Sequence, residues 1–288
     1  MPYISVLIPW ANREELAYSL RENSRWFRSD DVEVILINAG GDERQLGGCI
    51  ADLDFRGLRI IALDIKSFNK SLALNLGVHF SRGNVLCILD ADIILRSDFL
   101  SEATPMLETG AFVTIRKLYE SGVDSPSQFY AALSADPGYI SSVRRVYSIE
   151  VTFLDGSTTS LTTSASELLT GSNAGHGQVL MRKADFLAIA GYHSELETWG
   201  WEDDDLLFRF RRVLGLIHCE AGEATHLTHG DERRTLYGNS KASSNRANMI
   251  RCLQRYAKQH FRGSYFEDSA KWAAMCSERD LGLNYSSF

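Results

Sequence analysis

The sequence predicts an α/β protein with a Rossmann-like, mostly parallel sheet flanked by helices, and two observations predict it. First, the short apolar runs Ile4–Pro9, Val32–Asn38, Leu58–Asp64 and Val85–Asp90 are rich in Val, Ile and Leu with little alternation, as in strands buried on both faces. Second, helical spacing lies between them: Leu16, Leu20 and Phe27 share one face, as do Leu72, Leu76 and Phe80. A βαβαβαβ order with right-handed crossovers gives an open parallel sheet. Such sheets bind ligands beyond the carboxyl ends of their strands. That rule directs attention to Pro9–Arg13, Asn38–Gly41, Asp64–Lys70 and Asp90–Asp92.

The second half is less regular. Ala111–Arg116 and Arg145–Leu154 read as strands, and the Ser/Thr-rich stretch Ser157–Ser166 reads as a solvated loop, with a mobile lid as its functional alternative. Gly171–Gly177 reads as a glycine-spaced loop before a strand, Gln178–Arg182, and a helix, Ala184–Ala190, stopped by Gly191. A further helix starts near Asp203, buries Leu206, Phe210 and Leu214, and ends at Gly215. Two short strands follow, ending in Thr225–His229, before the polar loop Gly230–Arg234. The tail from Asn245 to Phe261 reads as a basic amphipathic helix with Ile250, Leu253, Ala257 and Phe261 on its packing face. Its expected role is docking on the domain, with peripheral membrane contact as the lesser reading. No repeat or linker divides the chain, so residues 1–288 are read as a single domain.

Composition limits the functional classes. The 288 residues carry 30 Lys+Arg against 37 Asp+Glu, a net charge of -7, which offers no basic footprint for duplex nucleic acid. No apolar run has the length of a membrane span and the start lacks a secretory signal pattern, so a cytoplasmic address is expected. Five scattered cysteines without a CxxC pair argue against a disulfide framework or a Cys-based zinc site.

Three clusters can carry chemistry. Asp90-Ala-Asp92 ends a buried strand, and side chains two apart along a strand point the same way. Paired hard oxygen donors suit Mg2+ or Mn2+, and the metal suits a diphosphate; capping acids at a strand end are the plainer reading. His226-Leu-Thr-His229 adds imidazoles, which suit Mn2+ better than an all-oxygen site, although a single histidine is more often a satisfied surface group. Trp199-Gly-Trp-Glu-Asp-Asp-Asp205 places acids at a helix start, where the dipole favours them. A plain cap explains the acids but not the paired indoles, whose flat apolar faces suit sugar rings. An ionised Asp beside such a platform can act as general base towards a sugar hydroxyl.

Taken in order, these segments resemble GT-A-fold glycosyltransferases, most closely the β-1,4-galactosyltransferase and chondroitin-polymerase-like group, over residues 4–235. Ile8-Pro-Trp-Ala-Asn-Arg-Glu14 resembles that group's nucleotide-holding opening turn, and Phe68–Gly77 its second nucleotide-side segment. The resemblance implies donor contacts from Pro9, Trp10, Arg13, Asn38, Phe68, Lys70 and Asp90. It implies metal ligation by Asp92 and His229, with His226 as a further ligand, the ion being Mn2+ with Mg2+ as the alternative. It makes Asp203 the catalytic base and Asp204, Trp199 and Trp201 acceptor contacts. Residues 1–95 would then be the nucleotide-sugar half, 96–235 the acceptor and metal half, and 236–288 a helical tail.

Two departures matter: Ala11 stands where the animal enzymes have a donor-contacting Arg, and Trp201 where they have Gly. The activity implied is inverting, metal-dependent transfer from a UDP-sugar to a hydroxyl of a saccharide, glycolipid or peptide acceptor. A retaining enzyme of the polypeptide N-acetylgalactosaminyltransferase type shares part of the late region but usually carries Asp-x-His at the position of Asp90-Ala-Asp92. A nucleotidyltransferase would show a glycine-rich phosphate loop where this chain has Pro9–Arg13. A non-catalytic sugar-binding protein on the same fold is the remaining alternative.

Overall fold

A computed structural model describes residues 3–51, 53, 57–122, 138–197, 199–229 and 240–281. The first half runs β1 (Ile4–Trp10), α1 (Glu15–Phe27), β2 (Val32–Ala39), α2 (Glu43–Ile50), β3 (Leu58–Leu63), α3 (Lys70–Phe80) and β4 (Val85–Ile88). After a short β5 (Ile93–Leu95) and α4 (Phe99–Ala103) come β6 (Ala111–Glu120), β7 (Arg144–Thr152), β8 (Thr158–Glu167) and β9 (Ser172–Arg182). The remainder is α5 (Lys183–Ala188), α6 (Glu202–Leu214), β10 (Ile217–His226), α7 (Lys241–Ala257), α8 (Tyr265–Trp272) and β11 (Ser277–Asp280).

Strand order is β11-β3-β2-β1-β4-β9-β6-β10-β5, with β7 and β8 forming a hairpin off β9. The run β3-β2-β1-β4 is parallel throughout, as its sequence pattern requires. Val6 and Ile8 pack into a core on one face with Val34 and Leu36, while Leu7, Ile35 and Leu86 pack into a second core on the other. Burial on both faces is why these strands read as unbroken apolar runs. Helix α1 covers the first face with Leu16, Leu20 and Phe27, and α3 covers the second with Leu74 and Val78. Beyond β4 the sheet becomes mixed, because β9 enters antiparallel to both β4 and β6.

Several sequence expectations need correction. Ser157–Ser166 is no loop: Thr158–Glu167 is β8, paired antiparallel with β7. Its inward positions are Thr159, Leu161 and Ala165, so the period-2 alternation is carried by small and hydroxylated residues, and Asp155-Gly156 supplies the turn, Gly156 at φ +80°. Gly171–Gly177 likewise belongs mostly to a strand. Its glycines serve close approach, since a Cβ on Gly177 would lie 2.8 Å from Asp203 Oδ2. The two short strands before His229 are one, β10, which kinks at Gly222 (φ +65°). The tail helix buries Ser244, Asn248, Cys252 and Tyr256 most deeply; of the face expected from the sequence, Leu253 and Phe261 pack partly buried against the core, whereas Ile250 is 44% exposed and Ala257 is exposed. The loop Gly230–Arg234 lies outside the described residues. Among the described residues no helix is long and apolar enough to cross a membrane.

Candidate active site

A cleft of about 980 Å³ opens beyond the carboxyl ends of β1 and β4. Its wall includes Pro9, Arg13, Phe68, Lys70, Asp90, Asp92, Trp199, Trp201, Asp203, Asp204 and His226. Side chains separated by more than 200 positions in sequence are thus brought into one concavity.

The turn after β4 divides the two acids of Asp90-Ala-Asp92 between different partners. Asp92 is 7% exposed, and its Oδ2 lies 3.0 Å from His229 Nε2 and 3.5 Å from His226 Nε2. The ligand atoms of these three residues all lie within 4.8 Å of one another. The Asp92 carbonyl accepts from Leu227 N at 2.8 Å, which ties the acid to the chain just past β10. Burial pushes the Asp92 carboxyl up, but the hydrogen bond from His226 and the charges of His226, Arg13 and His229 overcome it and hold it at about 2. His226 Nδ1 lies 2.7 Å from Glu120 Oε2, a carboxylate that fixes the ring and leaves Nε2 facing Asp92. Two imidazole nitrogens and a carboxylate oxygen, backed by an orienting acid, form a donor set suited to a divalent ion of the Mn2+ type. The residues fit the group.

The other acid belongs to a second cluster. Asn69 caps α3, accepting from Leu72 N at 2.9 Å, and so sets Lys70 at the first helical position, facing the cleft. Lys70 Nζ lies 2.9 Å from Asp203 Oδ2, 3.0 Å from Asp90 Oδ1 and 3.9 Å from Glu202 Oε1. Burial works against the lysine charge, but these carboxylates outweigh it and hold Lys70 well above its ordinary value. Asp203 also accepts from the Tyr192 hydroxyl at 3.1 Å, and Asp90 from Gln178 Nε2 at 3.0 Å. Burial raises the Asp203 carboxyl; Lys70 opposes this and Asp90 adds to it, with a net upward result. Burial and the charges of Asp203, Glu202 and Asp205 raise Asp204 to about 8. The fourth acid, Asp205, is fully buried and structural: it pairs with Arg209 at 2.7 Å and accepts from the Tyr256 hydroxyl at 2.7 Å.

The indoles precede these acids in a tight turn. Gly200 has φ +96° and Trp201 φ +71°, directly before α6. Trp199 is half-buried, whereas Trp201 is 6% exposed and its Nε1 has no hydrogen-bond partner among the described residues. On the other side of the cleft, Arg13 holds a buried Nη1 that likewise finds no partner among the described residues. Unsatisfied buried donors on a cleft wall suit an oxygen-rich ligand.

Two residues expected at the donor do not line the cleft. Trp10 is fully buried, on the same strand parity as Val6 and Ile8, and its Nε1 donates to the Arg13 carbonyl at 2.8 Å. Asn38 spends its side chain on Gly41, accepting from its N at 2.8 Å and donating to its O at 3.2 Å. Both shape the turns beneath the cleft. Sequence reasoning missed Gln178, Tyr192 and Glu120, which reach the cluster from β9, the loop after α5 and the end of β6. It also missed Ser244 and Asn245 of α7, which line the cleft. None carries a local motif.

The fold and the two carboxylate clusters define a GT-A glycosyltransferase. Residues 5–167 match the glycosyl transferase family 2 description, and residues 164–229 match the one described as N-terminal domain of galactosyltransferase. The chain belongs to glycosyl transferase family 2. No curated protein matches it significantly. Among solved structures it is similar to the mannosyltransferase PcManGT from Pyrobaculum calidifontis in complex with GDP-Man and Mn2+, with TM-score 0.53 and 13% identity over 95% of this chain and 70% of that one. It is also similar to a mycobacterial protein of known structure, with TM-score 0.49 and 16% identity over 84% of this chain and 73% of that one.

Proposed function

We infer that the protein transfers a hexose or N-acetylhexosamine from a UDP-sugar to an acceptor hydroxyl of a saccharide or glycolipid, with inversion and with a divalent metal. The observation that carries this reading is the meeting in one cleft of an Asp/His ligand set with a separate buried carboxylate, Asp203, beside an indole turn.

Asp92, His226 and His229 would hold the metal, which, when bound, neutralises negative charge on the leaving diphosphate. Arg13 and Lys70 add positive charge on the same wall. Asp203 accepts the proton of the acceptor hydroxyl as its oxygen attacks C1. The C1–O bond to the acceptor forms while the bond to the diphosphate breaks, and the nucleotide leaves with the electron pair. Lys70 bonds Asp203 Oδ2 and the Tyr192 hydroxyl bonds Oδ1, which leaves a second lone pair on each oxygen to accept from the acceptor hydroxyl. Trp199 and Trp201 supply apolar faces for the sugar rings.

Purified protein incubated with Mn2+ and a panel of UDP-sugars should release UDP, and EDTA should stop it. GDP-mannose belongs in the panel, because PcManGT is solved with it. Asp203→Asn should lose ~10²–10⁴-fold in turnover while still binding UDP with Mn2+. Near-normal turnover in that variant removes Asp203 from the role. Anomeric NMR of the product separates inversion from the retaining alternative.

A further inference from the structure

Helix α7 lies beyond the residues that either family description covers, which end at 229, and its side chains reach into the site. Its buried residues Ser244, Asn248, Cys252 and Tyr256 recur every fourth position and form one stripe. The far end of that stripe is structural, with Cys252 fully buried and Tyr256 bonded to Asp205. The near end meets the Trp199–Gly200–Trp201 turn. Ser244 Oγ donates to the Trp199 carbonyl at 2.9 Å, and Asn248 Nδ2 donates to the Gly200 carbonyl at 2.8 Å. The Lys241 ammonium lies 4.4 Å from the centroid of the Trp199 ring.

This turn is one that needs holding. Trp201 occupies the left-handed region, which a bulky side chain adopts only where its surroundings over-determine it. Helix α6 holds the last carbonyl of the turn, that of Trp201, through Asp205 N at 2.9 Å. The two preceding carbonyls fall to α7. The fit is close: a Cβ on Gly200 would lie 2.5 Å from Asn245 Oδ1. Trp199 and Trp201 face the cleft and Asp203 follows in the first turn of α6, so the conformation of this turn sets the acceptor side of the site.

We propose that Ser244 and Asn248 are positioning residues for the acceptor, which act by clamping the Trp199–Gly200–Trp201 turn from the C-terminal helix. The proposal rests on the glycosyl-transfer reading, and two independent measurements test it. Hydrogen–deuterium exchange of the peptide spanning 199–205 is compared in wild type, Ser244→Ala and Asn248→Ala, with Arg246→Ala, exposed on the same helix, as control. Acceptor-stimulated nucleotide release is measured with a panel of p-nitrophenyl glycosides.

Each clamp variant should speed exchange in the 199–205 peptide by about tenfold, leaving the β1 and β4 peptides unchanged. Each should raise acceptor KM by about tenfold while donor KM stays within about twofold. Ser244→Thr, which keeps the hydroxyl, should restore both, and Arg246→Ala should match wild type. Unchanged exchange in both clamp variants overturns the proposal. So does faster exchange with unchanged acceptor KM. A wild-type chain that releases no nucleotide from any donor, with or without a glycoside, refutes the transfer reading itself; the exchange measurement needs no acceptor, and unchanged exchange there still rejects the clamp.

Discussion

Replacing Lys70 by methionine removes a positive charge from among three carboxylates while keeping most of the side-chain length. The ammonium lies 2.9 Å from Asp203, 3.0 Å from Asp90 and 3.9 Å from Glu202, with 15% of the lysine side chain exposed. At an effective dielectric of about 20, opposite charges this close attract by roughly 5 kcal/mol before desolvation offsets part of it. The net effect on a neighbouring acid is about 1–3 pKa units. Asp203 already titrates above the ordinary range, because burial and Asp90 outweigh Lys70. Without the lysine it moves further up. A general base works only when deprotonated, so the acid limb of the kcat profile should rise by about 1–3 pH units. Turnover at pH values below the wild-type acid limb should fall by ~10–10³-fold and recover as the pH is raised. Nucleotide release measured across the pH range, at saturating donor and Mn2+, reads the limb apart from any loss of donor affinity. An acid limb that stays where the wild type has it refutes the coupling between Lys70 and the base.

Four further outcomes are expected. Glu120→Gln weakens the carboxylate that orients His226 and should lower Mn2+ affinity by about 10–100-fold in a calorimetric titration. Asp204 titrates at about 8 in the folded chain against an ordinary 3.8, so its contribution to stability is complete below the unfolded value and is lost as the pH rises through 8. Asp204→Asn should therefore change little near pH 4 and stabilise by about 1 kcal/mol or more above pH 8, read by urea unfolding at both. Asp205→Ala leaves a fully buried Arg209 without its partner and should cost about 3–5 kcal/mol in the same assay. Trp201→Gly removes a buried indole but relieves a positive φ, for a net loss of roughly 2–4 kcal/mol.

The parallel half of the sheet is legible in the residue pattern alone. Val6, Leu7, Ile8 and their counterparts are apolar at every position because both faces are covered, and that pattern is local. The residue types of the site are legible as well, since Asp90-Ala-Asp92, the indole-acid run and His226 with His229 are contiguous or nearly so. Where the period was carried by weak signals, the reading failed. Thr158–Glu167 turns only one large aliphatic, Leu161, inward among Ser, Thr and Ala, and α7 buries Ser244, Asn248, Cys252 and Tyr256 more deeply than its apolar Met249, Ile250 and Leu253.

How the acids divide depends on long-range packing. Asp90 turns to Lys70 and Gln178, whereas Asp92 turns to the histidines, although the two are separated by one residue. Asp205 adjoins two cleft acids yet is sealed against Arg209 and Tyr256. Trp10 lies at a strand end like Pro9 but points into the core. The reason is the same in each case. A residue's type and local spacing fix what it can bond, while partners brought together by folding, as far as 137 positions apart for His229 and Asp92, fix what it does bond, and burial sets the cost of every group left without one.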